Sequence, residues 1–206
     1  MHIVLTDLLA CPFCGEAHGL IVRADRIAER HVLEGALGCP DCRRLFPIRN
    51  GVAHFPDADA SAPGPGPDPA AADGDEPIRI AALLGLDRAR GFVLLTGPAA
   101  RHAGAVARLA EGVEIVAANI DGGTQAPDPV SRIRIGGTLP FGPAMLRGIW
   151  LAGPYADSLL AAAARALHPT GRLVLEPAPD DAESRLPPGF RVIARRDRTL
   201  VCARNV

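Results

Sequence analysis

Cys11-Pro12-Phe13-Cys14-Gly15 and Cys39-Pro40-Asp41-Cys42-Arg43 are two copies of one short motif, and they decide how the start of the chain folds. Two residues separate the cysteines in each copy, a spacing that lets both sulfur atoms face one metal ion about 2.3 Å away. In a reducing compartment such paired motifs favour a metal over disulfide bonds. The sequence therefore predicts one structural zinc ion, without an open coordination position, held by Cys11, Cys14, Cys39 and Cys42.

Two disulfides, four unconnected buried cysteines and one redox-active pair are the alternative interpretations of these cysteines. Redox catalysis needs one reactive pair, whereas this chain has two matched pairs, which favours zinc. His18 follows the first motif, and we interpret it as a surface residue rather than a substitute ligand. A module of about 55 residues buries little apolar surface, and a zinc ion supplies roughly 10 to 16 kcal/mol, so loss of the metal should unfold the module.

The segments around the two motifs predict a small antiparallel sheet with the metal at one end. Apolar strand-like segments lie near residues 20–24 and 31–37. Leu45-Phe46-Pro47-Ile48 and Val52-Ala53-His54-Phe55 flank Asn50-Gly51, a dipeptide that favours a tight hairpin turn.

The distribution of proline and charge divides the 206 residues into three parts. We expect a zinc ribbon at residues 1–55, a linker rich in Pro, Gly and Asp at residues 56–77, and a second domain at residues 78–206. The linker has six acidic residues and no basic ones, while the second domain has 16 arginines and 11 acidic residues. We interpret these arginines as a solvated surface rather than a nucleic-acid footprint. No apolar run is long enough to span a bilayer, and we expect a cytoplasmic protein.

The second domain alternates helical and strand patterns. Apolar residues recur at helical spacing in residues 103–110 and 160–167, and short apolar runs between them predict strands. Phe190 to Ala194 and Thr199 to Ala203 predict a final hairpin. The predicted fold class is α/β: a small antiparallel zinc ribbon, then a Rossmann-like, mainly parallel sheet with a C-terminal antiparallel hairpin.

Two runs of the ribbon carry a resemblance to a known family: Leu8-Leu9-Ala10-Cys11-Pro12-Phe13-Cys14, and Gly38 to Val52, in which Phe46-Pro47-Ile48 leads into Asn50-Gly51. Over residues 1–55 the chain resembles the small zinc-ribbon activator subunit of tRNA methyltransferases and its short bacterial relatives. The resemblance implies a protein-binding ribbon that adds to a methyltransferase sheet edge, shields apolar surface there and is not itself catalytic. We therefore expect a protein partner, with the ribbon pairing to a methyltransferase-like sheet edge in cis or in trans.

The second domain is similar to the class I S-adenosylmethionine-dependent methyltransferases. The resemblance rests on the run from Ala164 to Leu175, a helix-to-strand passage, and on Leu139-Pro140-Phe141. It implies a cofactor site at a glycine-rich loop after the first strand, with an acidic residue after the second strand that binds the ribose.

The cofactor loop that this resemblance implies is incomplete. Leu95 stands where the family has an acid, Gly97 is the one glycine retained, and Pro98 removes a backbone donor. The ribose-binding acid aligns with Asn119, or with Asp121 if the strand is longer. Gly97, Asn119 and Asp121 are the candidate cofactor-binding residues, and S-adenosylmethionine binding is in question.

Three functions follow from these patterns. The favoured hypothesis is a zinc-binding, non-catalytic, methyltransferase-like protein, a pseudoenzyme that acts as an interaction or regulatory module. The first alternative is an active methyltransferase with a divergent cofactor loop, and the second is an RNA-binding accessory protein. S-adenosylmethionine affinity separates the first two, and steeply salt-dependent RNA retention would indicate the third.

Overall fold

The computed structural model of this protein describes residues 1–56, 74–87, 89–120, 130–153 and 155–205. Within these ranges the chain forms 13 β-strands, three α-helices and two 3₁₀ helices, Ile3–Leu8 and Gly97–His102. None of the described helices is long and apolar enough to cross a membrane. The α-helices are α1 (Glu76–Leu84), α2 (Ala103–Leu109) and α3 (Asp157–Ala166). The strands are β1 (Ala10–Cys11), β2 (Gly15–Gly19), β3 (Ile21–Ala28), β4 (His31–Gly38), β5 (Leu45–Arg49), β6 (Val52–His54), β7 (Gly91–Leu95), β8 (Val113–Ala118), β9 (Val130–Arg134), β10 (Leu146–Ala152), β11 (Leu167–Glu176), β12 (Phe190–Arg196) and β13 (Thr199–Arg204).

Eleven of the described strands form one mixed sheet in the order β12-β13-β11-β10-β7-β8-β9-β6-β5-β4-β3. The six consecutive strands from β11 to β6 in this order run parallel to one another. The strands at both ends pair in antiparallel fashion, as hairpins do. β1 and β2 make a separate two-stranded sheet beside the first cysteine motif.

The predicted fold class, a small ribbon followed by a Rossmann-like α/β domain, is wrong. Of the described residues, 45% are in strands and 22% in helices, and the large mixed sheet contains strands from both halves. The reason is the parallel pairing of β6 with β9, which aligns Ala53 with Ile133 and makes the ribbon strands a continuation of the sheet. Residues 135–145, all of them described, connect β9 to β10 without a helix, and this lowers the helical fraction further.

The ribbon and the second half share one hydrophobic core on one side of this sheet. Leu37 and Phe46 of the ribbon belong to the same buried cluster as Ile133 and Phe141. Two backbone hydrogen bonds cross between the halves near this cluster, from Ala10 N–H to the Pro140 carbonyl (3.0 Å) and from Gly142 N–H to the Leu8 carbonyl (2.9 Å). We call this cluster the shared core.

A second buried cluster lies on the opposite side, where α1 and α2 pack on the second half. Ile80 of α1 and Val106 of α2 contact a layer that includes Val93, Ile115 and Trp150. No described residue from 1–56 belongs to this cluster. The ribbon strands are therefore buried on one side only, as antiparallel sheets often are.

The local predictions for the second half are confirmed where the structure describes them. The helical spacing of residues 103–110 and 160–167 corresponds to α2 and α3, and residues 190–194 and 199–203 form the β12–β13 hairpin. Residues 57–73, most of the predicted linker, lie outside the described residues. α1 begins at Glu76, inside the predicted linker, and ends at Leu84, where the C-cap residue Gly85 has a positive φ of 68° that suits glycine.

Candidate metal centre

Two similar turns position the four cysteines at one end of the ribbon. Cys11 ends β1, and Cys39 directly follows β4. Gly15 and Arg43 stand at the same place after the two motifs, and both have positive φ, 94° and 59°. Arg43 N–H donates to the Cys39 carbonyl at 3.0 Å, which closes the second turn. The repeat in sequence is therefore also a repeat in backbone conformation.

The four sulfur atoms form one compact group. All four lie within 4.8 Å of one another, and the Cys11–Cys42 and Cys14–Cys39 sulfur pairs are both 3.7 Å apart. A disulfide requires about 2.05 Å, so these cysteines are not bridged. A tetrahedral ion with bonds of about 2.3 Å holds its thiolates about 3.8 Å apart. The sulfur-only donor set and this spacing fit a metal such as zinc.

The protein environment shifts the pKa values of three of the four thiols, and not all in the same direction. The pKa of Cys39 is lowered, mainly because the backbone N–H groups of Cys42 and Asp41 donate to its sulfur. Burial raises the pKa of Cys11, and hydrogen bonding with Cys42 raises that of Cys14. The surroundings therefore favour the thiolate form at Cys39 and the thiol form at Cys11 and Cys14. A divalent cation supplies the positive charge that full deprotonation of the group needs.

His18 is not placed as a ligand. Its Nδ1 contacts a carboxylate oxygen of Asp41, which links β2 to the second cysteine turn. His18 does not belong to the group of potential ligands among the described residues. Sequence reasoning placed His18 at the surface but missed this contact, for which the spacing of the cysteines gave no signal.

The candidate cofactor residues do not form a comparable group. Gly97 has a φ of 58° and opens the 3₁₀ helix after β7, and a Cβ there would lie 2.3 Å from the Ala152 Cβ. The Asn119 side chain donates to the Ile135 carbonyl and accepts from the Ile135 N–H, both at 2.9 Å. Asp121 lies outside the described residues. Gly97 and Asn119 thus have structural roles, and their cofactor roles stay predictions.

An ionic network that sequence reasoning missed ties α1 to the end of β11. Arg79 donates to Glu76 at 2.7 and 2.8 Å and to Glu176 at 2.7 Å, and the Thr199 hydroxyl donates to Glu176 at 2.6 Å. Arg79 also lies over the Trp150 ring, 5.1 Å from its centroid. The i,i+3 spacing of Glu76 and Arg79 was visible in the sequence, but the long-range partners were not.

When the chain is compared with known proteins, the family match lies within the ribbon. No curated protein matches the chain. No family match supports the resemblance of the second half to methyltransferases. Residues 4–51, which include all four cysteines and end just before β6, match the family model described as Trm112p-like protein.

Proposed function

We propose that this chain is a zinc-dependent protein-interaction protein whose ribbon binds the second half of its own chain. The observation that carries the proposal is the parallel pairing of β6 with β9, supported by the shared core. The Trm112p-like match covers the ribbon, and the resemblance implies a methyltransferase activator that adds to a partner's sheet edge. Here that edge is β9 of the same chain, so the ribbon supports its own fused partner.

Zinc has a structural role in this proposal. Cys11, Cys14, Cys39 and Cys42 would hold the ion, and four protein ligands leave no position for a water molecule or a substrate. The ion would fix the two cysteine turns and, through β4 and β5, the position of β6. Reduced thiols are required for this, which agrees with a cytoplasmic protein.

We further propose that residues 78–206, the second domain of the sequence-based division, act as a scaffold rather than a catalyst. Leu95, fully buried at the end of β7, supports this, because the resemblance would place an acidic cofactor ligand there. The Asn119 amide also supports it, since both of its polar atoms already bond the Ile135 backbone. Isothermal titration of S-adenosylmethionine into the zinc-loaded protein should give no binding heat, and micromolar affinity would favour the methyltransferase alternative.

Hydrogen exchange with and without zinc tests the interaction proposal. Chelation should unfold the ribbon and raise the exchange rates of the β6 and β9 amides at least about 100-fold, because β9 then becomes an exposed edge. The distant strand β13 should be affected much less. Unchanged protection of β9 in metal-free protein would show that the ribbon does not support the second half, and the proposal would fail.

A further inference from the structure

One side of the ribbon strands β3, β4 and β5 has no helix packed on it within the described parts of the chain, and we call it the open face. Phe46 and Ile48 of β5 point to the shared core, so the alternating residues Leu45 and Pro47 point to the open face. α1 and α2 lie on this same side of the sheet, but they pack on the second half. The open face is thus the uncovered continuation of a surface that helices cover elsewhere.

An exposed aliphatic pair marks the metal end of the open face. Ile21, Gly38 and Leu45 lie opposite one another on β3, β4 and β5. Ile21 is 64% exposed and Leu45 is 62% exposed, although both are large apolar residues. Gly38 has no side chain between them, and the Leu45 Cδ2 lies over it, 3.3 Å from where a Cβ would stand. Ile21 and Leu45 therefore form one exposed apolar patch, against which an aliphatic side chain from another molecule can pack.

Basic side chains lie near this aliphatic pair. Arg23 follows Ile21 by two residues, and Arg49 follows Leu45 by four, so both share the open face. The Arg23 side chain is 71% exposed, and its contact with Asp25 is long, at 3.6 Å. Arg26 is similarly exposed, and its contact with Glu34 is 3.5 Å. Such exposed pairs contribute little, which leaves guanidinium donors available to an incoming carboxylate.

We propose that the open face docks a protein segment in which one aliphatic side chain is flanked by carboxylates. The aliphatic group would pack against Ile21 and Leu45, and the carboxylates would pair with Arg23 and Arg49. This inference rests on the proposed interaction function and names its partner class. A protein suits the surface better than RNA, because single-stranded RNA binding relies on aromatic rings that stack on bases. Among the described residues, the open face has no Phe, Tyr or Trp. The exposed ring of Phe13 stacks on Phe46 at the shared-core side instead.

Fluorescence anisotropy with a labelled peptide tests the proposal on the full, zinc-loaded chain. The probe has one leucine between two pairs of glutamates, and two control peptides replace the glutamates by lysine or the leucine by serine. We expect a Kd of roughly 10–100 µM for the probe, weakening as salt is added, and at least about ten-fold weaker binding of each control peptide.

Matched variants locate the binding. Leu45→Ser and Arg23→Glu should each weaken the probe at least about five-fold. Leu109→Ser should leave its affinity unchanged, since Leu109 is 54% exposed on α2, away from the open face. Equal binding of the acidic and basic peptides, or unchanged affinity in both open-face variants, would overturn the proposal. So would a concentration-dependent dimer that Leu45→Ser abolishes, because a second copy would then occupy the face.

The hydrogen-exchange experiment separates this proposal from the proposed function. Zinc-dependent protection of β9 without peptide binding would reject the open face as a docking site and leave the interaction between the halves intact. Loss of that zinc dependence would reject the proposed function itself, whatever the peptide does.

Discussion

The ribbon strands and the central parallel strands of the 11-stranded sheet are stabilised by different means. The ribbon strands β3 to β6 are buried on one side only, and the cysteine group lies at their end. The parallel strands β7 to β11 are covered on both sides, by the shared core and by the cluster under α1 and α2, whereas the edge strand β12 is mostly exposed. A metal held by the cysteine group would compensate for the burial that the ribbon lacks, since small modules with one-sided cores are marginal without such support.

Removal of one of the four cysteines should have the largest effect on the stability of the ribbon. Cys39→Ser should abolish stoichiometric zinc binding and unfold the ribbon, because the lost metal contributes roughly 10 kcal/mol or more. Cys202→Ala is the matched control: Cys202 is fully buried in β13 but lies outside the sulfur group, so it should keep zinc and lose only about 1–2 kcal/mol. Zinc content and thermal unfolding measure both, and a zinc-loaded, folded Cys39→Ser protein would contradict the compensation.

The next largest effect should come from the shared core. Phe141 is 1% exposed and pairs with Leu9 through an isolated β-bridge, so Phe141→Ala should cost about 3–5 kcal/mol and weaken zinc binding as well. Phe190→Ala removes a partly buried ring from the edge of the same cluster at the opposite end of the sheet, and it should leave zinc affinity unchanged. Denaturant unfolding and chelator competition measure the two quantities. Equal zinc affinities in the two variants would mean that the halves are not energetically coupled.

Asn119 offers a smaller test inside the second half. Asn119→Ala removes both side-chain hydrogen bonds to the Ile135 backbone and should cost about 1–3 kcal/mol. Asn119→Asp keeps an acceptor for the Ile135 N–H and should cost less. Denaturant midpoints measure the difference. A stable Asn119→Ala protein that has lost S-adenosylmethionine affinity would show that Asn119 is a cofactor ligand rather than a structural residue.

The smallest expected effect is a pH dependence from the network that binds α1. Arg79 holds the pKa of Glu76 below its ordinary value of 4.5 by hydrogen bonding. A depressed carboxyl pKa contributes stability that is fully present above 4.5 and is lost as the pH falls through the lower folded-state value. The contribution should stay under about 1 kcal/mol, because the pair is partly exposed. Unfolding between pH 3 and 6 should show it, and Glu76→Gln should flatten that part of the profile.

The metal group was the most predictable part of this protein. Each cysteine pair is defined within four residues, and a turn of this length has few conformations that leave both sulfurs on one side. The strands and helices of the second half followed from equally local apolar patterns. The prediction of the fold class was wrong because strand counts and apolar patterns do not reveal which strand edges pair. Cofactor residues placed by resemblance stay predictions, since Asn119 and Gly97 have local structural reasons to be present.

The sequence by itself determined the four clustered thiols, the Asn50-Gly51 turn and the existence of most strands and helices, because each depends on neighbours within a few residues. Only the tertiary structure decided that β6 lies beside β9, that Leu9 meets Phe141, and that one side of the ribbon is left open. These features depend on contacts between residues about 80 to 130 positions apart. The geometry of the strand edges and the burial of a common core determine such contacts, and no local sequence pattern encodes them.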